Sequence, residues 1–340
     1  MTTAILASVA GTSLTDEEKT VLEKLQPAGV SLFGRNIEDK TQLKLLVNSI
    51  KEIIGDDVII AVDQEGGRVR RLAEPNWRSY ASQYVLGQLP AKVTEMHAAL
   101  IAEDMHEIGI NFNYAPVLDI AYKQTHEVLK SRCFGKKTAE LGKIMAETYV
   151  RNGICPCMKH MPGHGRVKTD PHLGLPIIEG DDKALEKDLT PFRENNRLPA
   201  GMTAHIVLPQ IDNVPVTMSA KAIKEVIRKR IGFDGLLITD AIDMKALSGS
   251  IGEKAKTSLS AGCDLVCYCG GRIDDLCELE AQKLYIGNLA AERLEVVKDI
   301  IKKPQSDTPS YAEYMAETGR VPAYAETYDA TEVLNRMQRA

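Results

Sequence analysis

Aromatic residues, long apolar runs and basic clusters are all scarce in this 340-residue sequence. Phe, Trp and Tyr together make up 5% of the chain, which disfavours a long cleft lined with stacking platforms and favours a small polar pocket. No apolar run reaches the roughly 18 residues that a transmembrane helix needs, so no membrane partner is expected. The apolar N-terminal stretch MTTAILASVAGTSL lacks a preceding basic segment, and we interpret it as a buried strand, not as a signal peptide.

Charge and cysteine content narrow the class of protein further. The chain has 47 acidic and 42 basic residues, and it has no Lys/Arg block that could neutralise a run of phosphates, so nucleic acid is not an expected partner. The seven cysteines are odd in number and scattered, which disfavours a disulfide scaffold and predicts a reducing, cytoplasmic location. Because 44% of the residues are hydrophobic, we expect a globular protein.

Short apolar segments alternate with amphipathic ones along most of the chain. The apolar segments are continuous, as expected for strands of a parallel sheet that is covered on both faces. We predict eight strands: Ala4–Val9, Val30–Phe33, Val58–Asp63, Asn111–Pro116, Ile154–His160, Gly201–Val207, Leu236–Asp240 and Asp264–Cys269. We predict helices over Asp16–Leu25, Lys40–Ile54, Lys92–Glu107, Thr138–Arg151, Lys183–Asn195, Ala220–Arg230, Lys254–Ser260 and Leu276–Lys302.

Glycines mark the joints of this pattern. Each is predicted to lie between a helix and the next strand, where glycine can end a helix in the left-handed conformation. These glycines are Gly29, Gly55, Gly109, Gly153, Gly201, Gly232 and Gly262. Eight strand–helix units predict an α/β fold, specifically a single (β/α)8 TIM-type barrel over residues 1–304. An open doubly wound sheet is the alternative, but no G-x-G-x-x-G follows the first strand. Residues 305–340 match neither period and form a C-terminal extension that is surface-packed or mobile.

Polar side chains stand at the carboxyl ends of four predicted strands, where the active site of a parallel barrel lies. Asp63 ends the third strand, Lys159 and His160 end the fifth, the sixth carries His205, and Asp240 ends the seventh. Charged groups at the tips of buried strands are costly unless they bind a ligand or one another. The sequence therefore predicts that these residues converge on one pocket.

The loop KHMPGHGRVKTDPHLGLP follows the fifth strand and is rich in titratable groups. It contains His160, His164, Asp170 and His172. In an extended or turn segment the Asp170 carboxylate can reach the imidazole two residues on, fix its tautomer and raise its proton affinity. We therefore interpret Asp170 and His172 as an acid/base pair. A capping Asp and a surface His would be compatible with the same sequence.

Three other features allow two interpretations each. Asp240 is a helix cap, or else a nucleophile or metal ligand, and Asp243 is the nearer candidate for a cap. Asp63 and Arg71 form a structural ion pair or a clamp for hydroxyl groups. The C-x3-C-x-C cysteines are metal ligands or, as we predict, small buried core residues; they are Cys263, Cys267 and Cys269.

Five segments of the chain resemble the bacterial β-N-acetylhexosaminidases of glycoside hydrolase family 3. In order they are AVDQEGGRVRRL, SRCFG, KHMPGHGRVKTDPH, MTAHIVLPQID and LLITDAIDM. The resemblance runs from about Val30 to Gly271, and its most specific part is the K-H-x-P-G-H-G-x4-D-x-H loop. Met161 departs from the Phe that is usual in the family, and the tail after about Pro304 has no counterpart.

The resemblance implies a TIM barrel that removes terminal β-linked N-acetylglucosamine with retention of configuration. Asp240 matches the nucleophile, and His172 with Asp170 matches the general acid/base. The terminal sugar subsite would be formed by Asp63, Arg71, Arg132, Lys159 and His160, with His205 and Met244 lining it. The resemblance also implies no cofactor or metal, a monomer, a cytoplasmic location, and a substrate such as a muropeptide that carries 1,6-anhydro-N-acetylmuramic acid.

Two other functions compete with this interpretation. A metal-dependent hydrolase on the same barrel would use the His and Asp residues at the strand ends as ligands for zinc or manganese. A sugar-binding protein without activity would have no need of the D-x-H loop. Insensitivity to chelators would exclude the first alternative, and turnover of an aryl N-acetylglucosaminide would exclude the second.

Overall fold

A computed structural model describes residues 1–167, 174–178 and 182–325, and it confirms the predicted barrel. Its eight parallel strands are β1 (Thr3–Ala7), β2 (Pro27–Leu32), β3 (Ile59–Val62), β4 (Phe112–Asn113), β5 (Cys155–Met161), β6 (Ala200–Thr203), β7 (Leu236–Ile238) and β8 (Val266–Cys267). Neighbours in sequence pair from β1 to β7, and β8 pairs with β1. A parallel bridge from Ile238 to Leu265 brings β7 beside β8 and closes the barrel.

Helices surround the strands, and most of them lie where the apolar periodicity predicts them. They are α1 (Asp16–Leu25), α2 (Lys40–Ile54), α3 (Gln83–Leu86), α4 (Ala91–Ile108), α5 (Glu127–Lys130), α6 (Thr138–Arg151), α7 (Asp182–Glu194), α8 (Ala220–Ala222), α9 (Ile251–Ala261), α10 (Ile273–Ala281), α11 (Asn288–Ile301) and α12 (Tyr311–Thr318). A π-helix, Ile223–Ile231, continues α8. No helix in the described ranges has the length and apolar character needed to cross a bilayer.

One hydrophobic cluster fills the barrel and takes residues from all eight strands. Its members include Leu6, Ala28, Ala61, Phe112, Cys155, Cys157, Ala200, Leu236 and Cys267. Three residues of α11 complete the cluster, namely Leu294, Val297 and Ile300. All seven cysteines are free, and Cys263 and Cys267 are buried as predicted, whereas Cys269 is half-buried.

Two predicted helix–strand joints are wrong. Gly29 lies within β2, and Gly201 lies within β6. A Cβ at Gly29 would come within 2.6 Å of the Ile59 side chain, so close strand packing, not a helix end, requires glycine there. The first helix ends at Leu25 and is capped by Gln26, which itself adopts the left-handed conformation with φ 46°.

The predicted last helix, Leu276–Lys302, is two helices, α10 and α11. The backbone between them pairs with the first strand, because the Ala4 amide donates to the Leu284 carbonyl and the Ile286 amide donates to the Thr2 carbonyl. These hydrogen bonds take the segment out of the helix. The sequence also did not predict α12, which packs against α4.

Candidate active site

A pocket of about 310 Å³ opens at the carboxyl ends of the strands. Its volume is at the lower end of the range for small-molecule sites, about 300–1,000 Å³, so it suits one sugar ring better than a chain. The structure brings seven of the predicted site residues to its wall: Asp63, Arg71, Arg132, Lys159, His160, Asp240 and Met244. Asp170 and His172 lie outside the described residues.

Asp63 follows β3 directly and contacts two cations. Its carboxylate accepts from Lys159 Nζ at 2.8 Å and from Arg71 Nη2 at 3.0 Å. Lys159 is 2% exposed, so its positive charge must be stabilised by the neighbouring carboxylates and not by water. Burial would lower the pKa of Lys159, but Asp63 and Glu65 outweigh it and raise that pKa. The Asp63–Arg71 pair predicted from the sequence is thus one edge of a larger charged cluster.

Glu65 is the centre of that cluster, and the sequence did not single it out as a binding residue. Its carboxylate accepts two parallel hydrogen bonds from Arg132 at 2.8 Å and lies 2.6 Å from Lys159 Nζ. Burial alone would raise the pKa of Glu65, but Arg132 and Lys159 lower it to about 2. We define the clamp as Asp63, Glu65, Arg71, Arg132 and Lys159, whose fixed charges surround one side of the pocket.

Asp240 lies two residues beyond β7, in the pocket wall. One carboxylate oxygen accepts from the Ala241 amide at 2.8 Å. Burial opposes ionisation, but the nearby His205 and His160 rings, this amide and Lys159 together lower the pKa of Asp240. Asp240 is therefore a carboxylate at neutral pH, oriented by a backbone donor.

Neither Asp240 nor Asp243 caps the helix that follows β7. Helix α9 begins eleven residues after Asp240, and Ser250 caps it by accepting from the Glu253 amide. Asp243 instead accepts from the Cys269 amide at 2.9 Å and so ties the two neighbouring strand ends together. The cap interpretation of Asp240 is wrong because the chain makes an irregular loop before the helix starts.

His205 lies behind Asp240 and is 1% exposed. Its Nε2 donates to the Ala241 carbonyl at 2.9 Å, since a carbonyl can only accept. Burial lowers the pKa of His205, so the ring is neutral and its Nδ1 accepts from the Thr217 hydroxyl at 2.8 Å. Both ring nitrogens are committed to the protein, so His205 supports the segment that carries Asp240, whereas the sequence predicted that it lines the subsite.

Asp119 is a second buried acid that the sequence analysis missed. Its carboxylate accepts from His160 Nδ1 at 2.7 Å and from the His164 amide at 2.6 Å. Burial would raise the pKa of Asp119, but His160 outweighs it and the pKa is lowered. The signal was present in PVLDI, where Asp119 ends an apolar run as Asp63 does.

This hydrogen bond fixes the tautomer of His160. Because Nδ1 donates to a carboxylate, Nε2 is the nitrogen that remains for a ligand in the pocket. The neighbouring His164 ring also lines the pocket, and burial first, then His160, lowers its pKa to about 4. His164 is thus a neutral ring at physiological pH, which limits the positive charge on this side of the pocket.

The family model for the glycosyl hydrolase family 3 N-terminal domain matches residues 4–299, which include all strands of the barrel except Thr3, the first residue of β1. The chain belongs to glycoside hydrolase family 3. The chain is therefore a glycoside hydrolase, and its close relatives place it in the β-hexosaminidase group of the family.

A curated beta-hexosaminidase from Methylobacillus flagellatus is 34% identical to this family 3 chain over 281 residues, 78% of this chain and 80% of the relative. A solved structure of NagZ from Neisseria gonorrhoeae, in complex with N-trifluoroacetyl-D-glucosamine, superposes with a TM-score of 0.80 at 31% identity. That match covers 94% of this chain and 96% of NagZ. A family 3 β-N-acetylglucosaminidase from Paenibacillus gives a TM-score of 0.83 at 26% identity, and covers 93% of this chain and 66% of that one.

Within residues 1–167, 174–178 and 182–325, no group of three or more His, Cys, Asp and Glu side chains is arranged to hold a metal ion. Three of the candidate ligands are bonded to other protein groups. His160 Nδ1 is bonded to Asp119, both nitrogens of His205 are bonded to protein, and Asp63 is bonded to Lys159 and Arg71.

Proposed function

We propose that this family 3 enzyme removes terminal β-linked N-acetylglucosamine residues with retention of configuration. The observation that carries the proposal is the ionised Asp240 carboxylate in the wall of a one-sugar pocket, which four clamp residues also line: Asp63, Arg71, Arg132 and Lys159. A carboxylate beside a bound sugar can attack the anomeric carbon, while the clamp supplies donors and acceptors for its hydroxyl groups. The relative solved with N-trifluoroacetyl-D-glucosamine supports an N-acylated glucosamine as the sugar.

The clamp suits this task because its charged groups are already paired with one another before the sugar binds. Asp63 and Glu65 face three cations, and the five side chains already hold one another in place. A sugar hydroxyl can donate to Asp63 and accept from Lys159 or Arg71 without any side chain being reorganised. His160, oriented by Asp119, adds its Nε2 to the same binding surface.

The reaction has two steps in this proposal. Asp240 attacks the anomeric carbon and forms a glycosyl ester, while His172 as imidazolium donates its proton to the leaving oxygen. The neutral imidazole then removes a proton from water, which attacks the same carbon and releases Asp240. Asp170 polarises His172 in both steps. The Asp240 geometry supports the first role, and the sequence motif supports the roles of Asp170 and His172.

We further propose a muropeptide that carries 1,6-anhydro-N-acetylmuramic acid as the natural substrate, and a cytoplasmic monomer that acts in cell-wall recycling. The scattered cysteines, all free in the structure, support a reducing compartment. The small pocket supports removal of a single terminal sugar.

Time-resolved proton NMR on a defined N-acetylglucosaminyl disaccharide tests this function. The β-anomer of N-acetylglucosamine should appear first and then equilibrate with the α-anomer, with the same rate in the presence of a chelator. Initial release of the α-anomer would refute the covalent intermediate on Asp240. Loss of activity with the chelator, restored by zinc or manganese, would favour the metal-dependent hydrolase instead.

A further inference from the structure

Helix α12 lies beyond the 4–299 region that the family model matches, yet it reaches the active-site cluster through buried hydrogen bonds. Its Tyr314 is fully buried, and the Tyr314 hydroxyl accepts from the Ala81 amide at 2.8 Å. The same hydroxyl lies 2.9 Å from Nδ1 of His97, and Nε2 of His97 lies 3.3 Å from the carbonyl oxygen of Glu65. Glu65 is the centre of the clamp.

Only one assignment of donors and acceptors fits this chain of hydrogen bonds. The Glu65 carbonyl can only accept, so His97 Nε2 carries the hydrogen and donates. Burial lowers the pKa of His97 to about 4, so the ring is neutral and Nδ1 accepts. The Tyr314 hydroxyl therefore donates to Nδ1 while it accepts from Ala81. Both ring nitrogens of His97 therefore have a partner, and His97 itself is completely buried.

The loop that carries Glu65 packs directly on His97. A Cβ at Gly66 would lie 2.8 Å from His97 Cε1, and Gly66 has φ +93°, so this position accepts only glycine. The Gly67 amide donates to the Tyr80 carbonyl at 2.8 Å, and the Glu65 amide donates to the Val69 carbonyl at 3.0 Å. The loop is therefore held between its own turn and the segment that Tyr314 fixes.

We propose that Tyr314 is a positioning residue for the sugar clamp, acting through His97 on the Glu65 loop. This inference rests on the proposed function only in taking the clamp to bind the sugar. Removing the Tyr314 hydroxyl leaves the Ala81 amide and His97 Nδ1 without their partner in a buried setting. The ring and the Glu65 loop then shift, and the bidentate contact between Glu65 and Arg132 loses its alignment.

Tyr311 offers a matched control on the same helix. Its hydroxyl also makes two hydrogen bonds, accepting from the Ser79 amide at 3.1 Å and donating to the Ser79 carbonyl at 3.0 Å. Both hydrogen bonds go to Ser79, not to His97. Tyr311→Phe thus removes the same chemical group from α12, and it tests for a general loosening of the helix.

The test compares Tyr314→Phe and Tyr311→Phe by KM and kcat on an aryl N-acetyl-β-glucosaminide, and by the calorimetric Kd of N-acetylglucosamine. Tyr314→Phe should raise KM and Kd about tenfold with a small change in kcat, because binding geometry is lost and chemistry is not. Tyr311→Phe should keep wild-type values. His97→Asn retains an acceptor for Tyr314 but no donor that reaches the Glu65 carbonyl, so it should reproduce the rise.

Three results are decisive. A wild-type Kd in both Tyr314→Phe and His97→Asn would overturn the positioning role, as would an equal rise in Tyr311→Phe. If Tyr314→Phe does not fold, the Kd of His97→Asn decides alone. Failure of the wild-type enzyme to turn over the glycoside or bind the sugar would instead refute the proposed function, and is seen before any variant is compared.

Discussion

Replacing Glu65 with glutamine tests the electrostatics of the clamp. The change keeps the shape of a side chain that is 1% exposed and removes a charge that contacts Arg132 and Lys159. The pKa of Glu65 is about 2, against an ordinary value of 4.5. At 1.36 kcal/mol per tenfold change in acidity, this difference stabilises the folded state by about 3 kcal/mol at neutral pH. Because the same Arg132 and Lys159 contacts lower this pKa and are lost in the variant, we expect a loss of about this size.

The lowered pKa of Glu65 also predicts how the stability difference between wild type and Glu65→Gln changes with pH. A lowered carboxyl pKa stabilises the folded state above pH 4.5, and the stabilisation is lost as the pH falls towards 2. Urea unfolding of wild type and Glu65→Gln should therefore differ most from pH 5.5 to 7, and the difference should shrink below pH 4.5. Glu147→Gln is a control, because Glu147 pairs with Lys143 on the exposed face of α6 and should unfold as wild type does. A difference that is absent at pH 7, or the same at pH 3 and pH 7, would refute the reasoning.

Four further substitutions address the chemistry. Asp240→Ala should lose at least about a thousandfold in kcat, some 4 kcal/mol of barrier, and a variant that keeps a tenth of wild-type activity would exclude a nucleophile. His172→Ala should be far slower on the disaccharide than on a dinitrophenyl glycoside, and the dinitrophenyl glycoside should give a burst of phenolate. Asp170→Ala should show the same difference between the two substrates, but a smaller one. Equal losses of rate on both substrates would assign the proton donor elsewhere. Asp119→Asn should raise KM about tenfold through the loss of His160 orientation, and an unchanged KM would show that His160 does not hold the sugar.

The barrel could be predicted from the sequence because its strands are covered on both faces. Such strands appear as continuous apolar runs, and the runs ending at Asp63, His160 and Asp240 also identify the strand tips that form the pocket. Strand bounds were less accurate: β4 is only Phe112–Asn113, because the chain beyond it leaves the regular ladder at the edge of the pocket. Here the geometry of the chain at the edge of the pocket, and not strand propensity, determines where the strand ends.

Contacts between residues far apart in the chain could not be predicted in the same way. Glu65 and Arg132 are 67 residues apart, and the letters QEGG do not distinguish a buried glutamate from an exposed one. Helix α12 was missed because only Tyr314 and Thr318 of its eight residues are buried, which gives too short a pattern to define a period. In both cases the partner that decides the role lies on another element.

Mass spectrometry of the trapped intermediate tests the central claim most directly. The enzyme would be incubated with a fluorinated N-acetylglucosaminide whose glycosyl ester hydrolyses slowly, then denatured, digested with pepsin and mapped. The account predicts one added sugar, on the peptide that carries Asp240, and none in Asp240→Ala treated alike. An adduct on another carboxylate, or steady turnover with no adduct under conditions that consume the probe, would contradict it.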